Sequence, residues 1–207
     1  MSAAPAPDDG DADAYQARLE AFEGRSAGAA SEGPDAVNQA MIRHWVEAMG
    51  DENPVYTDEE AGRANGFPGV IAPPTMLQAW IMRGYKATAE LAAARAAGRP
   101  SAGATPADEL MHVLDEGGFT SVVATDCEQE YHRPVVLGDR LRASSSIESV
   151  SPEKHTALGI GHFVTTLLDF TDARGEPVAS MRFRILKFRP GTGRAPSPKT
   201  PSSKGTS

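Results

Sequence analysis

The sequence contains one cysteine, Cys127, among its 207 residues. A single cysteine excludes a disulfide within the chain and leaves too little sulfur for a zinc site built from thiolates. No run of apolar residues approaches the ~18–20 needed to span a bilayer. The small, acidic N-terminus also lacks the basic and apolar regions of a secretory signal. These absences predict a protein of the reducing cytoplasm with no membrane partner.

Positive charge is also scarce, because 20 lysines and arginines face 28 aspartates and glutamates, for a net charge of −8. This excess of acidic groups argues against nucleic acid or an anionic membrane as the main partner. A few arginines can still bind the phosphates of a small ligand. None of the 5 histidines has the spacing of a metal ligand, so we expect no metal.

The length suits one domain with a substantial core. Residues 1–13 are rich in Ala, Pro and Asp, and residues 190–207 are rich in Pro, Ser, Gly, Thr and Lys. Neither segment can bury enough apolar surface to offset its ordering entropy. We therefore predict a disordered acidic tail over residues 1–13, a folded domain over residues 14–189 and a flexible linker over residues 190–207.

The first half of the domain has helical patterns. Apolar residues recur at helical spacing after a candidate N-cap, Asn38, and Gly50 is expected to end this helix. The segment Thr57–Glu60 reads as a capping box for a short helix, and Pro73-Pro74 suits the first turn of a third. An Ala-rich stretch over residues 86–97 continues or follows that helix.

The second half has strand patterns, rich in Val, Thr, Phe and Ile. Asp172–Gly175 predicts a hairpin between the last two strands. Helices followed by antiparallel strands predict an α+β fold in which a long helix lies on one sheet. The predicted strands cover residues 119–124, 127–136, 141–150, 155–171 and 177–188.

The most informative stretch is Gly50-Asp51-Glu52-Asn53-Pro54-Val55-Tyr56, which is followed by Gly69-Val70-Ile71-Ala72-Pro73-Pro74. Hydration of an enoyl thioester needs a base to activate water, an acid to protonate the α-carbon and a donor to stabilise the enolate oxygen. A carboxylate and a histidine at a helix end can supply the first two. A backbone N–H at the start of the next helix can supply the third.

This stretch resembles the motif of the MaoC-like, R-specific enoyl-CoA hydratases, whose hot-dog fold wraps an antiparallel sheet around a long helix. Their motif reads roughly Gly-Asp-x-Asn-Pro-[Leu/Ile/Val]-His, with Ile-x-His-Gly downstream. Asp51 and Asn53 match, but Tyr56 replaces the histidine and Pro74 replaces the glycine whose N–H is the oxyanion donor in the family. Proline has no N–H, and a tyrosine with a pKa near ~10 is a poor base. The resemblance therefore implies a degenerate motif, with no catalytic residue in this chain.

Further segments resemble the MaoC-like domain of the large subunit of actinobacterial steroid side-chain hydratases, over about residues 34–190. That resemblance implies a steroid side-chain enoyl-CoA as substrate, with no cofactor beyond the CoA it carries. It also implies a small MaoC-like subunit that keeps the Asp and His, in a heterodimer or a dimer of heterodimers. A retro-aldolase would dock on a further C-terminal domain that is missing from this sequence. The segments that carry the resemblance include residues 123–129, 131–132, 156–159 and 184–188.

Two interpretations stay open for the motif residues. Asp51 and Asn53 can form a turn in which their side chains bind local backbone groups rather than a substrate. Tyr56 can contact substrate or partner, or it can be a packed tyrosine with a bonded hydroxyl.

The helix after Pro74 allows two interpretations as well. Met76, Trp80 and Ile81 can line a tunnel for an acyl or steroid group, or they can be core beneath a sheet. Cys127 is expected to be a small buried hydrophobe.

The favoured hypothesis is a non-catalytic subunit of a heteromeric enoyl-CoA hydratase, which shapes the acyl cavity while the partner supplies the Asp and His. One alternative is an active stand-alone hydratase in which Asp51 works with Tyr56 or another base. A second is a non-enzymatic scaffold or acyl-CoA-binding module. A third is a subunit of a fatty-acid-type hydroxyacyl-ACP dehydratase.

Overall fold

The computed structural model describes residues 9–82, 84–97 and 105–193. The first helix begins at Asp9, so residues 9–13 are helical and the predicted tail boundary at residue 13 is placed too late. The elements are α1 (Asp9–Glu20), β1 (Ser31–Glu32), α2 (Gln39–Met49), a 3-10 turn (Pro54–Tyr56), α3 (Glu59–Ala64), a 3-10 segment (Pro74–Ile81), α4 (Tyr85–Ala96), α5 (Pro106–Glu116), β2 (Ser121–Tyr131), β3 (Arg142–Val150), β4 (Lys154–His155), β5 (Ile160–Thr171) and β6 (Pro177–Phe188).

The ends of α2 follow the sequence signals. The Asn38 side chain accepts a hydrogen bond from the backbone N–H of Met41 at 3.0 Å, and Gly50 ends the helix with a left-handed φ of 64°. Glycine is favoured at such a position because it has no Cβ to collide with the backbone. The cap of α3 is Asp58 rather than the predicted Thr57, because the Asp58 carboxylate accepts from two first-turn amides.

The strands form one antiparallel sheet in the order β1-β3-β5-β6-β2, with β4 paired to β5. The two strands predicted over residues 119–124 and 127–136 are a single strand, β2. Its pairing with β6 shifts between Ala124 and Asp126, so Thr125 is an extra residue that forms a bulge. Among the described strands, β2 has β6 as its only neighbour and is therefore an edge strand.

The helical side of the sheet carries two separate hydrophobic clusters. In the first, Met76, Leu77 and Trp80 of the 3-10 segment pack with Phe170 and Met181 of the sheet. The α2 side chains Ile42 and Val46 complete this cluster. This end of the sheet therefore supports the segment that follows the second half of the motif.

The second cluster covers the opposite end of the strands. Leu110 and Leu114 of α5 pack with Leu19 of α1 against Ile147 and Val164 of the sheet. All five side chains are at most 2% exposed, so α1 belongs to the folded core of this end.

A single long helix on the sheet was predicted, and for the described residues this detail is wrong. The 3-10 segment ends at Ile81, the separate helix α4 follows, and α5 begins only at Pro106. The reason is the composition of α4, which consists largely of alanine and offers no stripe of large apolar side chains to bury. Its first residue, Tyr85, is 89% exposed. Within the described ranges, no helix is long and apolar enough to cross a membrane.

A strip of the sheet lies between the two clusters. Thr166 pairs with Phe183 across β5 and β6, and Phe183 pairs with Cys127 on β2. Strand alternation places all three side chains on the helical side. Thr166 and Phe183 are half-buried and Cys127 is exposed. The prediction of a buried Cys127 is therefore wrong, because the described residues leave this part of the edge strand uncovered.

His162 gives the α1–α5 end a dependence on pH. Its side chain is buried, with Nδ1 2.9 Å from the carbonyl oxygen of Ser151. Its Nε2 has no hydrogen-bond partner among the described residues. The ring packs edge-on against Phe119, with centroids 4.5 Å apart. Burial lowers the pKa of His162 below 6.5 and outweighs the opposing effect of the Ser151 carbonyl.

Because the pKa of His162 is lower in the folded state, the unfolded state binds a proton first as the pH falls below 6.5. The contribution of the neutral histidine to stability is therefore complete above pH 6.5 and is lost as the pH falls from 6.5 toward the folded pKa. We expect the His162→Gln variant to lose less of its melting temperature than the parent between about pH 7.5 and about pH 5.5. The control is His132→Gln, at an exposed position, which should keep the parental pH dependence. Equal pH dependence in parent and His162→Gln would contradict the assignment.

Candidate functional site

The first half of the motif forms a local turn after α2. Asp51 accepts a hydrogen bond from the backbone N–H of Asn53 at 3.1 Å, and the Asn53 amide oxygen accepts from the N–H of Val55 at 3.3 Å. Both side chains are exposed. These bonds fit the interpretation that Asp51 and Asn53 shape the turn, which places Tyr56 at its end.

Tyr56 lies in the 3-10 turn, half-buried against the first hydrophobic cluster. Its carbonyl accepts a hydrogen bond from Nε2 of Gln39 at 3.2 Å. Burial, followed by the nearby negative charge of Asp51, raises the pKa of Tyr56 above 10.0. The phenol therefore stays protonated at neutral pH and cannot take a proton from water. This disfavours a stand-alone hydratase in which Tyr56 is the base.

One backbone hydrogen bond joins the two halves of the motif, and a second holds the later half to residue 135. The N–H of Ile71 donates to the carbonyl of Val55 at 3.2 Å, and the N–H of Ala72 donates to the carbonyl of Val135 at 2.7 Å. The next two residues are prolines, and Pro74 starts the 3-10 segment. The position where a hydratase needs an oxyanion donor therefore has no backbone N–H.

Two side chains that we did not predict from the sequence hold the start of the 3-10 segment. Nε1 of Trp45 donates to Oγ1 of Thr75 at 3.2 Å, and the Tyr131 hydroxyl donates to the carbonyl oxygen of Pro74. Burial, and to a smaller extent Cys127, raises the pKa of Tyr131 to about 12, so this hydroxyl remains a donor. No periodicity or local motif connects residues this far apart in sequence, so the pattern gave no signal for either contact.

Met76 and Trp80, for which contact with an acyl group and a place in the core were both left open, lie in the core. They are 0% and 3% exposed, and Ile81 is half-buried beside them. Nε1 of Trp80 is buried with no hydrogen-bond partner among the described residues, which is uncommon for a buried donor. Contact of these three residues with an acyl group stays a prediction.

The arrangement as a whole offers one exposed carboxylate, Asp51, but neither of the other two catalytic groups. Tyr56 is protonated where a base is needed, and Pro74 lacks the hydrogen of an oxyanion donor. Over the described ranges, no three His, Cys, Asp or Glu side chains are grouped to hold a metal ion. Of the three groups that hydration of an enoyl thioester requires, these residues therefore provide a carboxylate only.

Comparison with known proteins gives a match over residues 25–181 to the family model described as FAS1-like, dehydratase domain region. The chain is 54% identical over 176 residues to a protein of Thermomonospora curvata named probable enoyl-CoA hydratase alpha subunit, covering 85% of the chain and 52% of the relative. It is 42% identical over 156 residues to the 3-oxo-4,17-pregnadiene-20-carboxyl-CoA hydratase alpha subunit of Mycobacterium tuberculosis, covering 75% of the chain and 46% of the relative.

Among solved structures, the crystal structure of the ChsH1-ChsH2 complex from Mycobacterium tuberculosis matches with a TM-score of 0.70 and 38% identity, covering 91% of this chain and 95% of that one. This similarity confirms the predicted α+β hot-dog fold. The chain spans about half the length of the two curated relatives, at 52% and 46% of their residues.

Proposed function

The chain belongs to the MaoC-like family of FAS1-like dehydratase domains, and we propose that it is the non-catalytic alpha-subunit domain of a heteromeric enoyl-CoA hydratase. One observation carries the proposal: Asp51 is retained, but Tyr56 and Pro74 remove the base and the oxyanion donor. A partner must then supply the reactive groups. The names of the two relatives, both alpha subunits of hydratases, support a second subunit.

In the proposed reaction, water adds across the double bond of an enoyl thioester. The hydroxyl goes to the β-carbon and a proton goes to the α-carbon. The partner's Asp and His activate the water and deliver that proton, and a backbone N–H of the partner stabilises the enolate oxygen. This chain binds the acyl group against apolar surface and excludes water from it. The reaction needs no cofactor other than the CoA that the substrate carries.

The proposed acyl group is bulky, of the steroid side-chain class. The strip of Thr166, Phe183 and Cys127, which the described residues leave partly exposed, supports this, because a long helix on the sheet would occupy the space above it. The name of the Mycobacterium tuberculosis relative, a pregnadiene-carboxyl-CoA hydratase subunit, supports the same class. Rates with steroid and with short linear enoyl-CoA esters test this, and a preference for the short esters would count against it.

The partner is proposed to bind along the edge strand β2. An edge strand presents unpaired backbone N–H and C=O groups, and here it also exposes Val122 (55%) and Cys127 on its helical side. A second hot-dog subunit on this edge would cover the strip and place its own catalytic groups beside it. Apolar association of this kind suits a stable pair of subunits.

Cys127 reports on this contact directly, because it is the chain's one cysteine and is exposed. We expect its rate of modification by a maleimide to fall at least about tenfold when the partner binds, as expected for a side chain covered by a stable interface. The control is a Cys127→Ser, Ser144→Cys variant, whose thiol lies exposed on β3. Its rate should not change. Equal labelling of Cys127 with and without a bound partner would place the interface elsewhere.

The family's dehydratase description favours a second candidate, a hydroxyacyl-ACP dehydratase subunit. Dehydration is the reverse of the same chemistry, so the two functions differ in the carrier of the acyl group. Assays of the reconstituted complex with CoA-bound and carrier-bound forms of one acyl group separate them. A complex that forms and acts on neither carrier would favour the scaffold alternative. The retro-aldolase contact stays a prediction.

A further inference from the structure

We propose that Tyr131 is a positioning residue that fixes the first turn of the 3-10 segment to the edge strand β2. Resting on the function proposed above, it thereby sets the selectivity of the site for the acyl group. Tyr131 is the last residue of β2, and Pro74 is the first residue of the segment. They are 57 positions apart in sequence, and the hydroxyl of one donates to the carbonyl of the other.

This bond matters because the segment begins with few backbone donors. Pro73 and Pro74 lack an N–H, so the chain there cannot bond to the sheet through its own amides. Before the prolines, the N–H of Ala72 donates to Val135 at 2.7 Å. After them, Thr75 accepts from Trp45 of α2 at 3.2 Å. Among the hydrogen bonds of the described residues, that of the Tyr131 hydroxyl links Pro74 itself to β2.

The surroundings of Tyr131 suit a fixed donor. Its ring is half-buried against the first hydrophobic cluster, so the phenol is held by packing as well as by its bond. Gln129 lies two residues before Tyr131 on the same side of β2, and its amide oxygen is 3.5 Å from the Tyr131 hydroxyl. Gln129 is in turn held by Sδ of Met181 at 3.6 Å. The sheet therefore fixes the position of the hydroxyl, and the hydroxyl in turn fixes the position of the 3-10 segment.

The consequence reaches the proposed acyl surface. Met76 and Trp80 follow Pro74 within the same 3-10 segment and pack on the sheet from it. A shift at Pro74 moves both side chains together. The partner is also proposed to bind along β2. Tyr131 therefore connects the subunit interface to the surface proposed to contact the acyl group.

The test compares Tyr131→Phe with Tyr15→Phe. Both changes remove only a hydroxyl that donates to a backbone carbonyl, and Tyr15 donates to Val113 at 3.0 Å at the other end of the sheet. Hydrogen exchange of the isolated chain comes first. We expect amides of the segment after Pro74 to exchange about two- to tenfold faster in Tyr131→Phe, as for the loss of one hydrogen bond. They should exchange at the parental rate in Tyr15→Phe.

The second measurement uses the chain reconstituted with its catalytic partner. We expect Tyr131→Phe to raise KM for a steroid enoyl-CoA about three- to tenfold while kcat stays within about twofold, the pattern of lost binding rather than lost chemistry. KM for a short linear enoyl-CoA should not change, and Tyr15→Phe should leave both substrates unaffected.

Unchanged exchange in Tyr131→Phe would overturn the positioning role. Faster exchange with equal KM changes for both substrates, or with none, would overturn the selectivity role. A parental complex that hydrates no enoyl-CoA would refute the proposed function and with it the selectivity role, while the exchange result would still decide whether Tyr131 fixes the segment.

Discussion

The purified chain is expected to hydrate no enoyl-CoA, and a MaoC-like partner that keeps its Asp and His is expected to restore turnover. The physical reason is the protonated phenol of Tyr56 and the missing N–H at Pro74. In the complex, Asp51→Asn should leave the rate within about tenfold. Removal of the partner's catalytic Asp or His should lower it by about 10²–10⁴, the usual cost of losing acid–base catalysis. The measurement is the loss of the enoyl-thioester absorbance.

The matched control is Asp58→Asn, an exposed N-cap on α3 that lies outside the motif turn. It should change the rate no more than Asp51→Asn does. Equal, large losses from Asp51→Asn and from the partner's variants would refute the division of labour between the subunits. Turnover by a homogeneous preparation of the chain alone would also refute this division of labour, and it would favour the alternative of a stand-alone hydratase.

The second large effect concerns stability near the motif. A Cβ added at Gly62 of α3 would lie 2.2 Å from the carbonyl oxygen of Gly69, far inside van der Waals contact. The Cβ is bonded directly to the backbone of α3 and the oxygen is itself a backbone atom, so neither can move without displacing α3 or the stretch that leads to Ile71 and Pro74. We expect Gly62→Ala to lower the free energy of unfolding by about 3 kcal/mol, at the upper end of ordinary overpacking costs.

Gly69→Ala is the control, because a Cβ there would meet nothing within 4 Å. We expect it to change stability by less than about 1 kcal/mol, within the range of substitutions that touch nothing. Denaturant unfolding of both variants gives the comparison. If Gly62→Ala unfolds like the parent, α3 does not pack against residue 69 as described.

Local signals allowed good prediction from the sequence, because they involve neighbours in the chain. Asn38 and Gly50 mark the two ends of α2 as expected, since a cap needs only the amides of the adjacent turn. The capping residue of α3 was misplaced by one position, from Thr57 to Asp58. Both residue types are good caps, and the sequence alone does not decide which of two adjacent oxygens reaches the amides.

Features that depend on distant residues were less predictable. The long helix was expected from the helical pattern that begins at Pro74, from the Ala-rich stretch after it and from the family resemblance. However, α4 lacks the apolar stripe that would hold it on the sheet. Cys127 was expected to be buried because cysteine usually is, yet it lies on an edge strand. The position of a strand within its sheet is a property of the whole fold, which no local pattern reports.

The candidate site also combines residues that the sequence pointed to with a residue that it did not. The degenerate motif at Asp51, Asn53, Tyr56 and Pro74 was inferred from replaced residue types, which the sequence gives directly, and it stays a prediction. The sequence could not identify Tyr131, because a tyrosine at a strand end becomes important only when the fold brings Pro74 within reach of its hydroxyl. Contacts of this kind require coordinates.

The division of the core into two clusters has a thermodynamic consequence. The cluster around Met76 and the cluster around Leu114 share none of their buried members. Residues without common neighbours contribute to stability almost independently, so the chain can open locally at one end while the other stays native. The hydrogen bonds between β5 and β6, which run past both clusters, then link two ends that can open separately.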